Sequence, residues 1–441
     1  MPTKILENAS IKAKNLLFRK TILCFIGLIL FLVYSILFFS FRVMYIDDDS
    51  SRYMLSALVQ SEASILAIVI SLSLVAVQHA ASSYSARVID VFRNKNPYLW
   101  ILTGIYLLSI IYGLGVLMLI DSTDLANNSL NLQNYITLAY YFGILSFLSL
   151  IPYIFKTLDL LKPSTVIGML AEEMAKKNNL QYISDRYEKS DDKDPIQPII
   201  DIVRGSMMKY DYETVKDGLK AITNGASNIF QTKNFNKNEK EKIAEYIFYH
   251  LKRIGKLAVS RKDEDSAVEA IININNVGMS AVQQKLDRAT LDAVISLGEV
   301  GGIMAEQKLE YATSQAIDSF KWIGMAAAKQ HFKDSIEEVA TSLGTIGKIA
   351  AEQEQRNTVR LVANCLEEIG KVVAEQKLEE ATIQIIDSQK RVGILMAELK
   401  FDLKEAKEPI KAVLSVAKKQ NLLEATNQAA KSINEIHGAF K

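Results

Sequence analysis

The sequence predicts an all-α membrane protein, with a four-helix transmembrane region followed by a cytoplasmic α-solenoid of 23-residue single-helix units. Apolar residues are concentrated before Leu161 and charged residues after it, so the two halves suit different solvents. Glycines recur at a fixed interval in the second half, which is typical of repeat architectures. The predicted domains are a basic N-terminus (1–20), a transmembrane domain (21–160), an amphipathic segment and linker (161–200) and a helical repeat domain (201–441).

Four apolar stretches are predicted to cross a membrane, at about residues 21–41, 63–81, 99–120 and 135–155. A helix rises 1.5 Å per residue, so about 20 apolar residues cross a hydrocarbon core of about 30 Å. The first stretch, from Thr21 to Phe41, is too long for a cleavable signal and is not followed by a small-residue cleavage site. We therefore expect it to remain as an anchor.

The distribution of lysine and arginine predicts the sidedness of these spans. Basic residues precede Thr21, and Arg87, Arg93 and Lys95 lie between the second and third spans. Loops rich in basic residues stay in the cytoplasm during insertion, whereas the acidic loops here are expected outside. The predicted location is the cell (plasma) membrane, multi-pass, with cytoplasmic N- and C-termini.

Polar residues recur on one face of the second predicted span. Ser71, Gln78, Ser82 and Ser85 are separated by helical intervals, and such a stripe is expected to avoid lipid. Two interpretations are open: helix packing through small and hydrogen-bonding residues, which is the more common case, or the lining of a pore in an oligomer. Glu62, at the start of this span, is expected to be an interfacial side chain that reaches water.

Residues 61–114 carry a motif at the end of the second span. Val75, Ala76, Val77, Gln78, Ala80, Ala81, Ser82, Tyr84, Ser85 and Arg87 fit a V-A-L-Q-x-A-S-x-Q-F-S-P-R-like pattern, with Ala86 in place of its proline. The stretch resembles a prokaryotic family of predicted membrane proteins of unknown function, and residues 194–222 are similar to a second segment of that family. The resemblance implies membrane topology and supplies no activity.

Two columns of residues recur every 23 positions in the second half. The glycines are Gly255, Gly278, Gly301, Gly324, Gly347, Gly370 and Gly393, and the glutamines are Gln284, Gln307, Gln330, Gln353 and Gln376. Apolar residues between them follow helical spacing, which predicts a helix of about 17 residues and a short turn in each unit. Two units form a 46-residue hairpin, and the array resembles HEAT-like repeats. The glycines from Gly278 to Gly393 are predicted to allow close helix packing, because glycine inside a helix otherwise costs about 1 kcal/mol.

Several kinds of chemistry have no support in the sequence. The net charge is +1, which gives no basic field for nucleic acid. Cys24 and Cys365 exclude a disulfide framework, and the four histidines are scattered without metal-ligand spacing. Nucleotide-binding and hydrolase motifs are absent, and the glutamates of the repeat turns are interpreted as a solvated face. The protein is therefore expected not to be an enzyme and to need no metal or cofactor.

These observations favour a membrane-anchored helical-repeat scaffold without catalytic activity. Its expected partners are the lipid bilayer and either a cytoplasmic protein or further copies of the chain. The alternative is a homo-oligomeric ion channel or transporter-like pore, lined by the second span and regulated by the repeats.

Overall fold

The computed structural model describes residues 48–83, 97–121, 129–160, 162–174 and 196–440, and the regular secondary structure there is entirely helical. The helices are α1 (Asp48–Ser83), α2 (Pro97–Asp121), α3 (Ser129–Leu160), α4 (Pro163–Met174), α5 (Gln197–Met208), α6 (Tyr212–Gln231), α7 (Lys237–Ser260), α8 (Glu264–Gln283), α9 (Asp287–Glu306), α10 (Glu310–Gln330), α11 (Lys333–Glu352), α12 (Arg356–Glu375), α13 (Glu379–Glu398), α14 (Leu403–Lys419) and α15 (Leu423–Ala439). They form two compact units: the apolar-helix unit contains α1 as far as His79, α2 and α3, and the second unit contains α4–α15.

Three described helices are long and apolar enough to cross a membrane. The candidate segments are Asp49–Val75, Leu99–Ile120 and Leu132–Asp159. The second equals the predicted span and the third contains it, whereas the first begins well before the predicted 63–81. The predicted boundary follows the start of the charge-free run after Glu62, whereas the side chain of Glu62 is buried between helices and the apolar segment begins at Asp49. The predicted span at 21–41 lies outside the described residues, so three candidate spans are observed where four were predicted.

Two apolar clusters hold the apolar-helix unit together. Leu55 packs with Val116 and Ile136 in one cluster, and Leu66 packs with Leu102 and Tyr153 in the other. Residue numbers rise along α1 and α3 in the same direction and fall along α2. Consecutive helices therefore alternate in direction, as successive membrane crossings must.

The repeats form a two-layered helical array, α6–α15. At the start of this array, α4 and α5 pack on α6. Helices α8–α13 begin every 23 residues, at Glu264, Asp287, Glu310, Lys333, Arg356 and Glu379. Each packs against the next helix and against the one after it, so that α7, α9, α11, α13 and α15 form one layer and α6, α8, α10, α12 and α14 the other. Five of these six helices have 20 residues and α10 has 21, rather than the predicted 17, because a very short turn suffices.

Left-handed residues that are not glycine make these turns. After α9, Lys308 has φ 58°, its N–H donates to the carbonyl of Ala305, and the N–H of Leu309 donates to the carbonyl of Met304 at 3.0 Å. This is a Schellman motif, in which the last carbonyls of a helix are satisfied. The equivalent residues in the array also have φ between 56° and 59°: Lys262, Lys285, His331, Glu354, Lys377, Lys400 and Asn421. Leucine occupies the position immediately after the left-handed residue at Leu286, Leu309 and Leu378.

Candidate functional site among the apolar helices

A buried carboxyl lies between the three apolar helices. Glu62 of α1 is only 1% exposed. The hydroxyl of Ser109 on α2 donates to Glu62 Oε1 at 2.7 Å, and Ser146 on α3 is a second hydrogen-bonding neighbour of the same carboxyl. The structure thus corrects the expectation that Glu62 is an interfacial side chain reaching water. Its carboxyl is instead enclosed by residues from all three helices.

The three polar residues of this site lie at the middle of their candidate spans. Thirteen residues of Asp49–Val75 precede Glu62 and 13 follow it. Ser109 has 10 residues of its span before it and 11 after it, and Ser146 has 14 before it and 13 after it. Each of the three helices therefore has its polar residue near the middle of its own candidate span. The carboxyl consequently lies far from either end of the apolar region. Ionisable groups at such depth are costly and commonly functional.

Two glycines bring the helices close enough for the short serine side chains to reach Glu62. A Cβ built on Gly113 of α2 would lie 2.7 Å from Val59 Cγ2, and one on Gly143 of α3 would lie 2.7 Å from Leu58 Cδ2. Both contacts are about one turn before Glu62 along α1. Small residues at membrane helix crossings allow this kind of close backbone approach.

A second hydroxyl on α2 borders the same site. Tyr106 lies three residues before Ser109, on the same face of α2, and is 0% exposed. It interacts electrostatically with Glu62, and among the described residues its hydroxyl has no hydrogen-bond partner. Buried hydroxyls are ordinarily paired, so this one is available to a neighbouring oxygen.

The predicted polar stripe of α1 is only partly described. Ser71 and Gln78 are exposed on the surface of the apolar-helix unit, and the Ser71 hydroxyl donates to the carbonyl of Ala67 at 2.9 Å. The side chain of Ser82 and the whole of Ser85 lie outside the described residues. Neither described member reaches the Glu62 site, so packing and pore lining by this stripe both stay predictions.

The glycine column of the array lies where helices approach most closely. A Cβ on Gly278 would be 2.8 Å from both Ala293 Cβ in the next helix and Ile323 Cδ1 in the helix after it. The shortest corresponding distances are 3.1 Å for Gly301 and Gly324, 3.2 Å for Gly347, and 2.6 Å for Gly370 and Gly393. The predicted packing role can therefore be tested by adding a single methyl group.

Sequence reasoning missed how the charges of the array are paired. Lysines and glutamates on alternate helices meet, as in Lys252–Glu299 at 2.7 Å, Lys321–Glu368 at 2.6 Å and Lys333–Glu380 at 2.9 Å. The signal available in the sequence was that each of these lysines has a glutamate about two units later in the chain. Water screens these exposed pairs, so they align the layers more than they stabilise them.

Comparison with solved structures gives low structural similarity. The "Circular tandem repeat protein with novel repeat topology and enhanced subunit contact surfaces" is 11% identical, with 89% of this chain and 96% of that chain covered and a TM-score of 0.39. The "DHF46 filament" is 13% identical, over 45% of this chain and 99% of that chain, with a TM-score of 0.21. These scores are too low to support an inference about this protein.

Comparison with known sequences is informative for the N-terminal part of the chain. No protein of curated function matches it. Residues 13–206, which include α1–α4 and most of α5, match the family described as "Predicted membrane protein (DUF2254)". This match confirms that the chain resembles a family of predicted membrane proteins of unknown function.

Proposed function

We propose that the protein is a membrane-anchored scaffold: the apolar helices hold it in the cell membrane, and the repeats form a cytoplasmic α-solenoid that binds a second copy of the chain. The proposal includes no catalytic step, no cofactor and no nucleic-acid partner. It rests on the extended surface that a stacked helical array offers, since each helix uses its inner faces for its neighbours and leaves one side free.

The observation that carries this proposal is a pair of exposed aromatic residues on α10. Tyr311 is 59% exposed and Trp322 is 56% exposed. They are 11 residues apart, about three helical turns, and therefore lie on one side of the helix. Tyrosine and tryptophan are enriched at the energetic centres of protein interfaces, whereas most large apolar side chains of the array are buried.

The alternating directions of α1–α3 and the basic flanks support the proposed sidedness. With the predicted span at 21–41, the chain would cross the membrane four times and return its C-terminal part to the cytoplasm. Protease added outside intact cells is then expected to leave residues 201–441 intact. Digestion of that part from outside would contradict the proposed location.

Self-association can be tested on the full-length protein in detergent, by light scattering over a range of concentrations. We expect a concentration-dependent oligomer, and Trp322→Ala should weaken it by at least about tenfold, since interface hot spots contribute 2 kcal/mol or more. Leu423→Ala is the matched control, because Leu423 on the terminal helix is also largely exposed. A monomer at every concentration, or equal effects of both variants, would contradict self-association through α10.

A second candidate function is a transporter-like or channel-like pore. The buried Glu62 at the middle of three spans favours it, because intramembrane carboxyls often mark ion or proton pathways. Ion flux into liposomes containing the purified protein tests this candidate. Flux that is lost in Gln78→Leu would support lining by the predicted stripe, whereas loss in Glu62→Gln alone would place the pathway between α1, α2 and α3. Absence of flux would remove the candidate.

A further inference from the structure

The surroundings of Glu62 disfavour its charged form. Among the described residues, the polar groups that face it are Tyr106 and Ser109 from α2 and Ser146 from α3. All of these are neutral hydroxyls, and none supplies a positive charge. A carboxylate that has no cationic partner among the described residues is disfavoured at the middle of a membrane span, whereas the neutral acid needs only hydrogen-bond partners.

The hydroxyls around Glu62 can serve both forms of its carboxyl. Ser109 donates to Oε1, and this hydrogen bond is stronger with the carboxylate than with the acid. Ser146 has one hydroxyl proton, and it is donated to the carbonyl of Phe142 at 3.0 Å. Towards Glu62 it therefore offers lone pairs, and only a protonated carboxyl can donate a hydrogen bond to them.

The deprotonated form has a different available partner. The hydroxyl of Tyr106 is fully buried beside the site and has no hydrogen-bond partner among the described residues. It can donate to the carboxylate after the proton has left. Each protonation state therefore has a hydroxyl of the required polarity nearby: an acceptor, Ser146, for the acid and a donor, Tyr106, for the carboxylate.

From this geometry we propose that Glu62 is a reversible proton-binding site within the membrane, with Ser109, Ser146 and Tyr106 as its hydroxyl shell. One proton binds the carboxylate to give the acid, and its release restores the carboxylate; no other bond changes. The proposal is independent of the scaffold function, because it requires neither self-association nor transport.

Dicyclohexylcarbodiimide provides a test on the full-length protein in lipid vesicles, since this apolar reagent adds to protonated carboxyls in apolar surroundings. Adducts are located by mass spectrometry at a series of pH values between 6 and 9. We expect an adduct on Glu62 at neutral pH whose rate of formation falls as the pH rises. Ser109→Ala should shift this fall to higher pH, because it removes the hydrogen bond that Ser109 donates to the carboxylate. Ser149→Ala, on α3, is the control and should leave the fall unchanged, because its hydroxyl donates to the carbonyl of Ser146 and not to Glu62.

Several outcomes would overturn the proposal. These are no adduct on Glu62 at any pH, a rate that does not depend on pH, and equal effects of the two serine variants. Protection by sodium but not by choline at constant pH would indicate a sodium site instead. The infrared carbonyl band of a protonated carboxyl gives a reagent-free check: it should be present in the wild type at neutral pH and absent from Glu62→Gln, and its presence at equal strength in both would also refute the proposal.

Discussion

The apolar-helix unit and the repeat array arrange polar and apolar side chains in opposite ways. In α1–α3, large apolar residues such as Trp100, Leu108 and Met118 are exposed, while the carboxyl side chain of Glu62 is buried. In the array, Phe320 and Ile346 are completely buried, and lysine–glutamate pairs lie outside. Both regions are helical, so the difference reflects the solvent for which each surface is built, lipid in one case and water in the other.

The largest expected effect comes from placing a charge on the outer surface of each region. Leu108 of α2 is 69% exposed, and Leu423 of α15 is 74% exposed. Leu108→Arg should reduce insertion of α2 by about 2.5–3.5 kcal/mol, the cost of an arginine near the middle of a membrane helix. Leu423→Arg should change the free energy of unfolding by no more than about 0.5 kcal/mol.

Glycosylation acceptor sites on both sides of α2 measure insertion in Leu108→Arg, and circular dichroism during heating measures unfolding in Leu423→Arg. Equal tolerance of both substitutions would show that the exposed face of α2 does not contact lipid. The contrast between the two regions would then be lost.

The next effect concerns close packing in the array. Gly278→Ala should destabilise the protein by about 1–2 kcal/mol, because the new Cβ would overlap Ala293 Cβ, which cannot rotate away. Gly302→Ala is the control: its nearest neighbour, Ile349 Cδ1, would be 3.7 Å away, so alanine should stabilise α9 by up to about 1 kcal/mol through helix propensity. Thermal unfolding followed by circular dichroism checks the opposite signs.

A smaller effect involves a partly buried acid in the array. Burial, and then the negative charge of Glu245, raise the pKa of Asp292 from 3.8 to about 6. A raised pKa in the folded state means that this residue favours folding when protonated and that the contribution is lost as the pH rises through about 6. Asp292→Asn should therefore stabilise the protein at pH 7.5, by about 1 kcal/mol after solvent screening is allowed for.

The gain in unfolding temperature from Asp292→Asn should shrink as the pH falls from about 6 towards 3.8, because the wild-type carboxyl binds its proton over this range. Asp318→Asn, at an exposed position of α10, serves as the control. A gain that is the same at all pH values would show that Asn acts by packing and not by removing charge.

The smallest effect is expected at the turns. Lys308 has φ 58°, a conformation that costs a residue with a Cβ about 1–2 kcal/mol. Lys308→Gly removes this strain but adds flexibility to the unfolded chain, so a net stabilisation of about 0.5 kcal/mol is expected. Lys329→Gly, inside the last turn of α10, should instead destabilise by about 1 kcal/mol. Chemical denaturation of both variants distinguishes the two outcomes.

The repeated helices were predictable from the sequence because glycine and glutamine each recur with the same period as the helices. The turns were missed for a physical reason: a left-handed residue after a helix is usually glycine, but in this array lysine, histidine, glutamate or asparagine occupies it and the glycines lie inside the helices. Likewise, Glu62 beside a charge-free run indicated the end of a span. Its partner Ser109 is 47 residues away, and their contact depends on how three helices pack.

The 23-residue spacing of helix starts has a consequence for how this array can change length. Insertion of a single unit between α10 and α12 would move every later helix into the opposite layer and separate Lys321 from Glu368, which join these two helices. Duplication of two adjacent units together would leave every later helix in its original layer. Lengthening or shortening of such a chain by duplication is therefore expected to proceed in even numbers of helices.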